Sequence, residues 1–151
     1  MNDFSIPLQI RWTDIDANRH LRHSVYYDYG AMARIMILSN LGLTTARLEE
    51  LKIGPILFRE EAVFRREVLL EDTIRIDVRL IRATPDFSRW SLRHQIIKAD
   101  GTVAATVEVD GAWIDLTRRK LAAPDPFLQE IMNAFPRPED FQFTIPEKKT
   151  T

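Results

Sequence analysis

Apolar and polar residues alternate from the start of the chain: Ile6, Leu8 and Ile10 recur at every second position up to Trp12. That period is the signature of a half-buried strand, here ending at Thr13-Asp14. The next stretch, Asp14 to His23 (DIDANRHLRH), has no period and is rich in Asp, Asn and His, residues that favour turns, so it reads as a loop. From Ser24 to about Leu41 the apolar positions Val25, Met32, Ala33, Ile35, Met36, Ile37, Leu38 and Leu41 cover more than one helical stripe. A helix apolar on nearly all sides is one that is buried. Ser24 fits as its N-cap and Gly42 as its terminator.

A second, shorter helix is expected over Thr45 to Leu51, closed by Gly54-Pro55. Beyond it the pattern is that of strands. Residues 56–68 form one interrupted by charges, and Ile74, Ile76, Val78 and Leu80 alternate with Arg75, Asp77 and Arg79 in the next. Pro85-Asp86 marks a turn. Trp90, Leu92, His94 and Ile96 then share one strand face, Asp100-Gly101 supplies a hairpin, and Val103 to Leu116 forms the last strand of an antiparallel meander. Asp125 with Pro126 opens a short amphipathic helix to about Ala134. The tail, with Pro136, Pro138, Pro146 and a terminal KKTT run, is expected to lie extended and fray.

One strand, one long apolar helix and about five strands in all make an α+β order, in which a curved antiparallel sheet wraps around one long buried helix. A single domain over residues 1–151 is expected, ending in a short helix and tail from about residue 124. With 21 basic and 22 acidic residues, nothing in the charge argues for nucleic acid or an anionic membrane. No cysteine is present, which excludes thiol nucleophiles, disulfides and thiolate metal sites. The polar start Met1-Asn2-Asp3 does not read as a signal peptide, and no apolar run approaches the roughly 20 residues that cross a bilayer. A soluble, cytoplasmic protein is the expectation.

The order of strand, DxD-containing loop and buried helix carries a family resemblance. Arg11-Trp-Thr-Asp14-Ile-Asp16-Ala17, then His20, His23, Val25-Tyr26-Tyr27 and Ala33-Arg34, resemble the start of the 4-hydroxybenzoyl-CoA thioesterase-like hotdog proteins. Asp100-Gly101, Ala105 and Trp113-Ile-Asp115-Leu-Thr117-Arg118-Arg119 resemble their closing hairpin and exit segment, so the likeness covers roughly residues 5 to 125. It implies hydrolysis of an acyl-CoA thioester, with an acyl carrier protein thioester as the less favoured form. It also implies a homodimer or homotetramer with the site between subunits, and needs no metal or cofactor.

Matched residue by residue, Asp16 takes the place of the family's catalytic aspartate and His23 that of its oxyanion-binding amide, its imidazole suited to an orienting or acid/base role. On composition alone, Asp16 is a turn or cap residue. Asp14 is expected to brace the loop and is the second choice as acting carboxylate. His20 is expected to satisfy local hydrogen bonds, and His94 to be a buried core histidine. His20 and His23 with Asp14 or Asp16 are zinc-ligand types, but their spacing in a loop does not favour a metal. Tyr26, Tyr27 and Tyr29 either line an acyl pocket or fill the core, with core the default. Arg59, Arg65, Arg66, Arg118, Arg119 and Lys120 either meet the phosphates of coenzyme A or form a solvated face.

Three departures from the family pattern matter. Many relatives carry Gly at the position of Arg19 and Asn at those of Arg22 and His23. A helix position that is acidic in many relatives, and contacts the acyl hydroxyl in the hydroxybenzoyl enzymes, is Ala31. An apolar Ala31 favours a fatty or otherwise unsubstituted acyl group. The rival functions are a hydratase or dehydratase on the same fold, using Asp16 with His23 for proton transfer, and a non-catalytic acyl-CoA binder.

Overall fold

The computed structural model describes residues 4–145. The expectations for Met1-Asn2-Asp3, and for the tail from Pro146 through KKTT, lie outside the described residues. Strand β1 (Ser5–Leu8) is shorter than the alternation to Trp12 implies, because the backbone turns into a single 3-10 turn at Trp12–Asp14. Helix α1 (Val25–Asn40) follows the loop. Ser24 does precede it, but in helical backbone conformation and without a side-chain cap. Capping needs an extended residue there; the Ser24 hydroxyl instead accepts a hydrogen bond from Arg22 Nη1. At the far end Gly42 adopts φ +100°, and Leu43 N–H donates to Leu38 O at 2.9 Å, so the chain leaves the helix through a turn that a side chain would strain.

Helix α2 (Thr45–Leu51) is capped by Thr44 Oγ1, which accepts from Arg47 N–H at 3.1 Å. It is closed by Lys52 in left-handed conformation and not by Gly54-Pro55, which already lie in β2 (Ile53–Phe64), where Pro55 sits opposite Trp113. Proline is tolerated there because β2 is an edge strand. The alternation from Ile74 to Leu80 is not one strand but two, β3 (Ile74–Asp77) and β4 (Arg79–Ala83). The break falls at Val78, whose N–H turns to Phe4 O while that of Leu80 turns to Pro136 O, both at 2.9 Å. The chain continues as β5 (Arg89–Lys98), β6 (Val103–Asp115), β7 (Lys120–Leu121), α3 (Pro126–Asn133) and β8 (Gln142–Phe143).

The sheet therefore contains eight strands among the described residues, some only two residues long. It is not a simple meander. Strands β3 and β4 both flank β5, β6 lies on its other side, β1 borders β3, and β2 borders β6 at the opposite edge. The reason is α1, which joins β1 to β2 and touches strands of both edges, so it crosses the concave face between them. The stretch before Pro146 is also more ordered than an extended, fraying tail: β8 runs parallel to β4, and Arg137 lies 4.5 Å from the ring centre of Phe141.

A contiguous core joins Val25, Tyr26, Tyr29, Ala33 and Ile37 of α1 to Leu92, Ile96, Val107, Val109 and Trp113 of the sheet. Each of the larger aliphatic side chains among them contributes roughly 1.5–3 kcal/mol by leaving water. Gly111 makes room for Trp90, since a Cβ at that position would lie 2.4 Å from the indole. The helix is buried on one face only. Met32, Ile35 and Met36 remain 41, 38 and 44% exposed, because a single sheet can cover only one side of a helix.

Candidate active site

The loop between β1 and α1 is organised by two aspartates with different duties. The Asp14 side chain is wholly buried and accepts hydrogen bonds from Arg11 N–H at 3.0 Å, Arg11 Nη2 at 3.0 Å and the Tyr29 hydroxyl at 3.2 Å. Its carbonyl takes Arg22 N–H at 2.8 Å. Burial pushes its carboxyl up, but the hydrogen bonds and charge of Arg11, with the Tyr29 hydroxyl, outweigh it and hold the carboxyl below its ordinary range. Asp14 is thus an ionised brace with its oxygens occupied.

Asp16 is more open, its side chain 26% exposed. Oδ1 closes a turn by accepting from Asn18 N–H at 2.8 Å and from His20 N–H at 3.4 Å. Oδ2 faces His20 Nδ1 at 3.4 Å. That nitrogen also lies 3.2 Å from Leu21 O, and since both neighbours are acceptors, Nδ1 carries the hydrogen. The imidazole beside Asp16 is therefore His20. His23 is exposed, and its backbone amide makes no hydrogen bond to a described residue, which leaves an unoccupied donor just ahead of α1. His20 was legible as a local hydrogen-bonding residue; its partner was not, because the turn that folds it back on Asp16 depends on Arg19 at φ +68°.

Tyr26 is buried, packs edge-on against Phe64 with ring centres 5.0 Å apart, and is pushed up to about 12 by burial and by the charge of Asp16. Its phenol stays protonated near that carboxylate. Tyr29 serves Asp14, and Tyr27 is half-buried against the core. Of the expected site residues, Asp16 and His23 thus stand in the same loop, and the charge of Asp16 is felt by the Tyr26 phenol. Arg59 is engaged elsewhere, with Glu61 and with Asp110 at 3.7 Å.

Ala31 lines a separate feature, a cavity of about 190 Å³ under the second half of α1. Its walls are Ala31, Arg34, Ile35 and Leu38 of α1, Pro55 and Leu57 of β2, Trp90, Leu92 and Trp113 of the central strands, and Met132 and Phe135 from and after α3. Trp90 Nε1 is without a partner, the one such buried side-chain polar atom among the described residues. Arg34, mostly buried, donates from Nη1 to His94 Nε2 at 3.0 Å and lies 3.8 Å from Glu60. His94 is fully buried, and its Nδ1 donates to Asp77 O at 2.8 Å. Burial, with the charge of Arg34, lowers it to about 3, so it is a neutral core histidine. No cluster of three metal-ligating side chains occurs among the described residues.

Residues 10–132 match the family model of the thioesterase-like superfamily. No curated protein matches the sequence. Among solved structures, a hypothetical protein of Staphylococcus aureus in complex with CoA is similar at TM-score 0.78 and 22% identity, over 95% of each chain. A 1,4-dihydroxy-2-naphthoyl-CoA thioesterase of Synechocystis is similar at TM-score 0.76 and 16% identity, over 87% of this chain and 96% of that one. A DHNA-CoA thioesterase of S. aureus is similar at TM-score 0.76 and 16% identity, over 85% and 87% respectively.

Proposed function

The chain belongs to the thioesterase-like superfamily, a family of thioester hydrolases, and has the hotdog fold; on that premise we propose that it hydrolyses acyl-CoA with Asp16 as its catalytic carboxylate. Water and the thioester give the free acid and the CoA thiol. The observation that carries this reading is Asp16, a partly exposed carboxylate in the loop that leads into α1, together with a backbone amide at His23 that makes no hydrogen bond to a described residue. A carboxylate there can attack the thioester carbonyl or take the proton of an attacking water, while the amide and the positive helix end stabilise the developing oxyanion. His20 holds Asp16 from the side, and burial with the charge of Asp16 keeps the Tyr26 phenol protonated.

The acyl group proposed is fatty or otherwise unsubstituted. The naphthoyl-CoA thioesterases of like fold act on hydroxylated aromatic groups, but Ala31 offers no partner to a hydroxyl and opens into an apolar cavity. The whole chain acts as one domain, as a homodimer or homotetramer. Met32, Ile35 and Met36 on α1, with Leu57, Phe58 and Phe64 on edge strand β2, form apolar surface suited to a second copy. Among the described residues, no helix is long and apolar enough to cross a membrane. The Asp16–His20 contact supports one rival, a hydratase, which needs such a pair for proton transfer. Saturated and 2-enoyl-CoA substrates separate them. Thiol release from the saturated substrate is expected; loss of enoyl absorbance without thiol release would make the protein a hydratase.

A further inference from the structure

We propose that the cavity under the second half of α1 receives the far end of a medium-length hydrocarbon chain, and that Met132 and Phe135 set the longest chain it accepts. This rests on the thioesterase reading and narrows its substrate. The cavity calls for hydrocarbon because Ile35, Leu38, Leu57, Leu92 and Trp113 dominate its walls. Its one charged wall residue, Arg34, already faces Glu60 and His94, so no carboxylate or phosphate is needed to balance it.

Position supports the same reading. Ala31 lies six residues after Val25 in the sequence, which is roughly 9 Å along a helix. A chain whose thioester sits at the Asp16 end would run its first carbons along α1 to the exposed Ala31 and bury the remainder beyond it. The volume limits that remainder. An apolar cavity of about 150 Å³ takes up benzene. At the same filling, about 190 Å³ holds about eight carbons. Met132 and Phe135, 2 and 3% exposed, line it from the α3 side, so a longer chain has to displace well-packed side chains. Within the limit, each added methylene is expected to raise kcat/KM by up to about fourfold; past it, the gain reverses.

The test is kcat/KM for thiol release from saturated acyl-CoAs of graded length, butyryl to stearoyl, below their micelle concentrations. Wild type is expected to peak at medium length and to be at least tenfold poorer with stearoyl-CoA. Met132→Ala and Phe135→Ala should move the peak to longer chains. Since either change can destabilise the core, Ala31→Phe at the exposed mouth provides a second reading and should move the peak to shorter chains. A wild-type profile that is flat or rises through stearoyl, or a folded Met132→Ala protein with an unchanged profile, overturns the inference. If no acyl-CoA releases thiol, the thioesterase reading fails by itself. Thermal stabilisation by the same series then still reads the cavity, supporting the inference with a medium-length maximum and overturning it without one.

Discussion

The two ends of α1 meet different surroundings. At its start the helix adjoins the carboxylates and imidazoles of one short loop, joined by hydrogen bonds within that loop and to the phenol of Tyr29 on the helix itself. Along its second half it faces a largely apolar cavity whose other walls come from three strands, α3 and the segment after it, with the Arg34–His94 pair at its margin. The difference separates two kinds of dependence. Reactivity at the first end depends on the state of a few oxygen and nitrogen atoms, whereas fit at the second depends on the volume that many side chains leave.

The sharpest way to break that comparison is Asp16→Asn. The change keeps the shape and the turn-closing acceptor but removes the charge, so thiol release should fall at least about a hundredfold, a barrier rise of about 3 kcal/mol, while the fold survives. An unimpaired variant would remove chemistry from this end of the helix. Its neighbour should behave oppositely. Asp14→Ala leaves Arg11 and the Tyr29 hydroxyl without their partner, and should cost roughly 2–3 kcal/mol in urea denaturation.

Acid separates the two ends again. The neutral His94 binds a proton only near pH 3, whereas in the unfolded chain it does so from about 6.5. Its contribution to stability is therefore complete above about 6.5 and declines as the pH falls toward 3, at up to about 1.4 kcal/mol per pH unit. Asp14, held below its ordinary range, loses its contribution only as the pH falls below about 4. Burial raises Asp77, which contributes with the opposite sign near the carboxylate range. Denaturation midpoints measured from pH 7 to 4.5 should fall in wild type and flatten in His94→Gln, while Asp14→Ala keeps the wild-type slope.

What the sequence shows about these two ends differs for the same physical reason. Asp14, Asp16, His20 and His23 stand within ten residues, so their residue types and their place before a helix can be read directly. Helix α2 and the Asp125 cap of α3 are equally local, and their bounds follow from side chains that bond backbone a few residues away. The cavity could not be read, because Pro55, Trp90, Trp113 and Met132 are brought together only by the sheet order, with β2 at the far edge beside β6. Arg34 as the partner of His94 was hidden likewise, across a separation of 60 residues. The division of the Ile74–Leu80 alternation depends on acceptors at Phe4 and Pro136 that no local pattern announces.

Two tryptophans on the cavity wall offer a finer test of how its packing is satisfied. Trp113 Nε1 donates to Phe87 O at 3.1 Å, while Trp90 Nε1 has no partner. Replacement by Phe removes ring volume in both cases, but Trp113→Phe also leaves a carbonyl unpaired, whereas Trp90→Phe removes an unpaired donor. Trp113→Phe should therefore be the more destabilising by about 1 kcal/mol in urea denaturation. Equal losses would mean that the Phe87 bond contributes nothing net.

The smallest effect belongs to Arg19, which holds the left-handed position of the site loop. Its φ of +68° is a left-handed conformation that costs a side chain about 1 kcal/mol and glycine almost nothing. The turn is closed by Arg19 N–H donating to Asp16 O and Asp16 N–H to His20 O, both at 3.0 Å. Arg19→Gly relieves the strain but gives the unfolded chain more freedom, so the gain in stability should be positive and no more than about 1 kcal/mol. If thiol release is unchanged as well, the guanidinium has no part in turnover. A loss of activity in a protein of equal or greater stability would instead make Arg19 a participant in substrate binding, its strained backbone maintained for the side chain it presents.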